Sequence, residues 1–496
     1  MYAGIPRDNT PGSTEQAPSV ADFHAAYTSG RISPLQVARA FLAELDGSPE
    51  HQKAFLDVQS QRVLEAAEAS TERYKSNKYI SALDGVLLGV KDEVDLAGHS
   101  KSLGSNRQLS TADDETSWCV RKWEEAGAVI VGKLNMHEFG LDTTNNNPVK
   151  GTPLNPHNPS YYTGGSSGGS AYAVAAGLLP VALGADGGGS IRIPSAYCGI
   201  FGLKPSHGRV SGSPTLSLAF SCGVLGPMAS CMADLEIAYS VMAQPDPGNP
   251  TSSAFPNPLA KVPSADRTEH GVIGIFQPWI DTADAPVKTA CQKALDQYRA
   301  HGYDFVDIDL PLLEQGQLAH AITILSEFSA TFYPDIGDLS PANQILLSVG
   351  HQTPAQDFLL AQKMRHLLMK HLASLFKKHP GLLIVSPTTP NLGWPIVGGS
   401  SELKYGCNDA NISVRSMLYI WLANFTGCPA ITIPVGSAEP TIGKGMVPIG
   451  LTAMAEWGDE DGLIAWGKIG ERWAQQSRTL PIAVDRVDML QLARKL

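Results

Sequence analysis

Apolar residues first recur at helical spacing over 33–46, SPLQVARAFLAELD, with Ser33 placed as a cap and Pro34 in the first turn. A second helical pattern covers 54–76. The texture then changes to short apolar runs at 86–90, 128–132, 180–184 and 199–203, with helical patterns between several of them. That alternation predicts a largely parallel sheet covered on both faces. Residues 246–270, rich in Pro, Ser, Asn and charge, read as a surface connection. Beyond it, VIGIF (272–276) and DFVDIDL (304–310) predict strands flanking a helix near 286–301, and 314–379 is mostly helical. Strand character returns at 382–387, 430–436 and 448–455, and a helix covers about 459–477.

The expected fold class is therefore α/β, a single large α/β/α body with a mixed, mostly parallel central sheet. Residues 1–75 are expected to form an N-terminal helical segment packed on the core, and 76–245 an α/β core holding Lys91, Ser166 and Ser190. Residues 246–379 would supply the connection and a helical cover on the substrate side. Residues 380–496 would return to the sheet and end in helices.

Composition narrows the class. The 496 residues are 43% hydrophobic and 17% charged, which fits a folded globular protein and argues against disorder. A net charge of −11 without a Lys/Arg block argues against a nucleic-acid partner. MYAGIPRDNTPGSTEQAP at the start is polar, and no run approaches the ~18–20 apolar residues of a membrane span. Seven scattered cysteines, an odd number without CxxC spacing, point to reduced thiols in a cytoplasmic protein rather than disulfides or zinc.

The densest chemical signal is 163–205, TGGSSGGSAYAVAAGLLPVALGADGGGSIRIPSAYCGIFGLKP. Ser166 lies in a Gly/Ser-only run, and 24 residues later Ser190 follows a buried strand and three glycines. Glycines let consecutive N–H groups converge on one point, as stabilising a tetrahedral oxyanion requires. Serine alone is a weak nucleophile and needs a base. A Gly/Ser run is more often a linker or turn, but a linker is not flanked by two buried strands. No Walker Lys-Ser follows Gly169, GxGxxG is absent from a strand–turn–helix setting, and GxSxG does not surround Ser190. His157 and His207 have no distinctive setting for a Ser-His-Asp arrangement, and His137-Glu138 lacks the HExxH continuation of a zinc hydrolase.

The segment resembles the amidase signature family. GVLLGVKDEVDLAG (85–98), KLNMHEFGLDTTNNNP (133–148), GVLGPMASCMADLEIAYSVMA (223–243), LLIVSPTTP (382–390) and NFTGCPAITIPVG (424–436) match family positions in order. The resemblance extends over roughly residues 20–480. It implies the amidase signature fold and Ser190 as nucleophile. It further implies Ser166 as the relay serine after a non-proline cis peptide, and Lys91 as the base. The N–H groups of Gly187, Gly188, Gly189 and Ser190 would then form the oxyanion hole, with Ser167, Asp186 and Arg192 supporting the loop. In its apolar strand Lys91 would be desolvated, which favours a neutral amine; Glu93 on the same face offers an ordinary salt bridge as the alternative. No metal or other cofactor is expected.

Family members that use glutamine carry an acid shortly before NxxGxP, where this chain has the apolar Met417, with Trp421 nearby. These two are the candidate substrate-pocket residues. Trp421, like Trp279 and Trp394, is equally explained as core. The expected function is hydrolysis of a small-molecule linear amide with an apolar acyl or amine group. An esterase or carbamate hydrolase with the same residues, or an ammonia-releasing amidotransferase subunit, is the alternative. A homodimer is left open.

Overall fold

The computed structural model describes residues 17–109, 115–260, 271–406, 409–476 and 486–496. Most of the polar N-terminal stretch and Cys407 lie outside them. The first helical pattern becomes helix Pro34–Gly47, opened by a capping box: the Ser33 side chain accepts from Gln36 N, and the Gln36 side chain accepts from Ser33 N.

In chain order the described residues form β1 Phe55–Val58, β2 Leu87–Lys91, β3 Val129–Leu134, β4 Val181–Asp186, β5 Phe201–Lys204 and β6 Val224–Ala229, followed by β7 Val272–Ile275, β8 Asp304–Asp307, β9 Leu382–Pro387, β10 Ala430–Ala438 and β11 Val447–Met454. They join one sheet in the order β1-β3-β2-β4-β6-β5-β10-β11-β9-β7-β8. The fold is thus a large α/β body with a mixed sheet. The balance of directions differs from expectation, since four of its ten neighbouring pairings are parallel and six antiparallel. Strands buried on both faces read as unbroken apolar runs whichever way they pair, so direction is not encoded in the run itself.

Two elements escape the apolar pattern. The expected 54–76 helix is in fact β1 followed by helix Ser60–Lys75. A four-residue strand holding Asp57 shows no usable alternation, and its pairing with β3 decides its state. At Gly132, φ +141° and the pressing Asp57 carbonyl leave no room for a side chain. Strand β6 carries Pro227 in mid-strand, which in sequence argues against a strand.

Alternation along β9 divides the interior. Leu383 and Val385 enter the main core with Ile431, Ile433 and Leu451, whereas Leu382 and Ile384 enter a second core with Ala430 and Met454. Helices Leu313–Phe332, Pro341–His351 and Ala355–Lys378 supply much of that second core and cover it. Six cysteines, Cys119, Cys198, Cys222, Cys231, Cys291 and Cys428, are free and buried. No helix among the described residues is long and apolar enough to cross a membrane.

Candidate active site

Lys91 ends β2 and Asp186 ends β4, and these strands are parallel neighbours with Val90 opposite Leu183. Their carboxyl ends open on the same edge of the sheet, where α/β sheets bind ligands. Lys91 is 1% exposed; its Nζ lies 2.9 Å from Ser166 Oγ and 3.4 Å from Ala185 O. It also lies 3.1 Å from Glu93 Oε2, so one nitrogen contacts both side chains.

Ser166 follows Gly165 through a cis peptide bond, and the 133–148 stretch grips that turn. The Gly165 amide donates to Thr143 O at 2.7 Å, the His137 amide to Ser166 O at 3.1 Å, and the Gly168 amide to Asn145 Oδ1 at 3.0 Å. The Ser167 hydroxyl donates to Ala185 O at 3.2 Å and its amide to Ser190 O at 3.2 Å, which ties the two serine loops together. His137 is buried, and burial holds its imidazole below the ordinary range. Glu138 Oε2 accepts from the Ser340 amide at 2.9 Å and Asn343 Nδ2 at 2.8 Å, joining this stretch to the cover.

Behind Ser190 the loop is braced by charge. Arg192 Nε and Nη2 reach Asp186 Oδ2 and Oδ1 at 3.0 and 3.1 Å, and both residues are fully buried. Arg192 also donates to Ile420 O at 3.0 Å and Asn424 Oδ1 at 2.6 Å. Asn424 Nδ2 in turn donates to Asp186 O and Oδ1 at 2.8 and 2.9 Å. Burial alone would raise the Asp186 carboxyl, but the charge and hydrogen bonds of Arg192, helped by Lys204 and Asn424, hold it well below the usual carboxylate range.

One member of the expected donor run has another partner. The Gly189 amide donates to Asp186 Oδ1 at 2.6 Å and is therefore committed to the brace. A buried carboxylate gathers donors, and Asp186 also accepts from the Ile191 amide at 3.1 Å. Gly189 has φ +119°, and a Cβ there would collide with Ile420 Cδ1. Gly187, Gly188 and Ser190 instead line a cavity of about 410 Å³, together with Lys91, Glu93 and Ser166. Its walls include Val210, Leu218, Val224 and Leu225, with Ile324 and Phe328 from the cover. Leu216 and Phe220 also line it, each 78% exposed. His207 lines the cavity as well, but its Nε2 is 2.9 Å from Phe220 O and so holds the wall. His157 Nε2 is likewise engaged, 2.9 Å from Cys198 O.

The Amidase family model matches residues 36–464. This chain belongs to the Amidase family. It is an amide-hydrolysing enzyme, similar to a fatty acid amide hydrolase of Medicago truncatula at 33% identity, over 93% of this chain and 77% of the relative. It is also similar to a glutamyl-tRNA(Gln) amidotransferase subunit of Thermus thermophilus, at 30% identity over 89% of this chain and 94% of that one. Among solved structures, the peptide amidase of Stenotrophomonas maltophilia superposes with a TM-score of 0.77 at 25% identity, covering 95% of this chain and 99% of that one.

Neither residue expected in the substrate pocket lines the amidase cavity. Trp421 is 1% exposed and packs against His320, Phe425 and Gly316; its apolar bulk belongs to the second core. Met417 packs with the Tyr162, Ile193 and Ile420 cluster, its sulfur beside Gly188. Two contributors went unpredicted. Asn424 carried a signal, since it opens the matched NFTGCPAITIPVG segment. His320, whose Nε2 is 2.9 Å from Gly187 O, carried none: it is one histidine on an apolar helix.

Proposed function

We propose that this amidase hydrolyses a linear amide of an apolar carboxylic acid through an acyl-enzyme on Ser190. Ser190 Oγ attacks the carbonyl carbon while its proton passes to Ser166 Oγ, and the Ser166 proton passes to Lys91 Nζ in its amine form. The resulting oxyanion is received by backbone N–H groups at Gly187, Gly188 and Ser190. As the C–N bond breaks, the proton returns from Lys91 through Ser166 to the leaving nitrogen, and the amine departs. Water then attacks the Ser190 ester, its proton passing through Ser166 to Lys91 and back to Ser190 Oγ as the C–O bond breaks, and the carboxylic acid is released.

The observation that carries this proposal is the 2.9 Å contact of Lys91 with Ser166 on the floor of a cavity also lined by Ser190 and its glycines. The apolar walls and the likeness to a fatty acid amide hydrolase support an apolar acyl group. The likeness to an amidotransferase component keeps glutamine as the second substrate to test. The apolar walls disfavour its charged ammonium. An ammonium left unpaired against apolar walls costs on the order of several kcal/mol.

A hydrolysis screen over long-chain, short aliphatic and aromatic primary amides, matched esters and glutamine tests this directly. Long-chain amides are expected to give the highest kcat/KM. A higher value for glutamine overturns the substrate class, and turnover of esters without amides overturns the reaction.

A further inference from the structure

His320 lies on helix Leu313–Phe332 and is 3% exposed, boxed by Phe425 at 5.9 Å and Trp421 at 6.4 Å between ring centroids. Its Nε2 is 2.9 Å from the carbonyl oxygen of Gly187. A carbonyl only accepts, so this nitrogen carries the proton and donates. Burial pushes the imidazole down to about 4, so the ring stays neutral at ordinary pH, with this tautomer available. His320 itself does not line the cavity, whereas Gly187, Gly188 and Ser190 do.

The Gly187–Gly188 peptide is trans, so its C=O and N–H point in opposite directions. Between two glycines that peptide has little steric resistance to turning over. A turned-over peptide would present its carbonyl oxygen, an acceptor, where the developing oxyanion needs a donor. We propose that His320 is a positioning residue for amide hydrolysis: its hydrogen bond pins the Gly187 carbonyl outward and thereby aims the Gly188 N–H at the oxyanion. Gly188 fits this role sterically as well, since a Cβ there would come 3.2 Å from His320 Cε1. The inference rests on Ser190 being the nucleophile.

The test compares the full-length protein with His320→Phe, which keeps an aromatic ring and removes the donor, and His320→Gln, which restores an N–H near the same place. Long-chain amide turnover is read as kcat and KM separately. Binding is read with a long-chain trifluoromethyl ketone, which forms an oxyanion adduct with the nucleophile, and with a non-cleaved amine isostere, which does not. Losing one oxyanion donor lowers kcat by about 100-fold. His320→Phe is expected to show a loss of that order with KM nearly unchanged and ketone binding weakened in parallel, while isostere binding holds. His320→Gln is expected to recover most of kcat. A folded His320→Phe protein with wild-type kcat and ketone affinity overturns the proposal. So does a loss shared equally by ketone and isostere, or a His320→Gln protein as slow as His320→Phe. If His320→Phe does not fold, kcat and ketone affinity of His320→Gln decide: near-wild-type values support the pin, and a large loss of both overturns it. Fluorophosphonate labelling of the wild type keeps the two ideas apart, since failure to label Ser190 strikes the nucleophile assignment and not the His320 contact.

Discussion

The floor and the wall of the cavity are built on different terms. On the floor and just behind it, Lys91, Ser166, Asp186 and Arg192 are almost wholly buried, and their polar atoms are held by partners from several distant segments. The 207–223 part of the wall presents apolar side chains on a loop, with Leu216 and Phe220 each 78% exposed. A buried polar network tolerates few substitutions, because each lost partner strands another group away from water. An exposed apolar wall tolerates many, at the cost of contact area alone. The proposed mechanism accordingly lodges bond cleavage in the braced half and substrate choice in the permissive half.

The largest expected effect falls on the floor. Ser190→Ala should lower kcat by about 10⁴-fold or more without changing the melting temperature, and a fluorophosphonate should no longer label the protein. Labelling that persists on the variant would move the nucleophile elsewhere.

Next comes the brace. Arg192→Met strands a buried Asp186 carboxylate and should cost about 3–5 kcal/mol in urea unfolding. A cost below ~1 kcal/mol would mean that the floor is not held by this pair.

His320 joins floor to cover and gives stability a pH signature. Burial holds it at about 4, below its unfolded value near 6.5, so between these the unfolded chain binds a proton that the folded protein refuses. Its contribution is neutral above pH ~6.5, and stability falls as pH drops from ~6.5 to ~4, by about 3 kcal/mol in all. Arg365 and Arg192 reinforce the shift, while Gly187 O and Asp186 oppose it. Unfolding curves of wild type and His320→Phe across this window should diverge in slope; parallel curves would assign the acid sensitivity to other groups.

The smallest effect belongs to the wall. Leu216→Ser with Phe220→Ser should reduce kcat/KM for a long-chain amide about tenfold while sparing a short one, as loss of modest apolar contact predicts. An equal loss on both substrates would merge wall and floor into one unit.

The same contrast governs what could be read from sequence. Lys91 at the end of an apolar strand and Ser190 after three glycines each had an ordinary explanation, and only the ordered match of 85–98, 133–148 and 424–436 to the amidase signature drew the floor residues together. GRVSGSPTLSLAF (208–220) resembles any polar loop, and only its fold beside Ser190 makes it a wall. His320 was invisible because one histidine on an apolar helix has no spacing partner to mark it. A GGGS run shows which N–H groups exist but not that a nearby carboxylate engages the one at Gly189. Strand positions were legible for most of the sheet, whereas their directions were not, since a run buried on both faces has none.

The strand order also has a consequence for synthesis. β5 pairs on one side with β6 and on the other with β10, which lies roughly 225 residues later in the chain. At about 5–20 residues per second, the nascent chain carries β5 with one edge unpaired for roughly 11 to 45 s. That interval also precedes Asn424 and Ile420, so Arg192 and Asp186 must wait for part of their brace. An open edge beside an unfinished charged network is a template for pairing with other chains. The yield of active protein should therefore respond to translation speed and to chaperones shielding that edge, even though the finished enzyme leaves no trace of the delay.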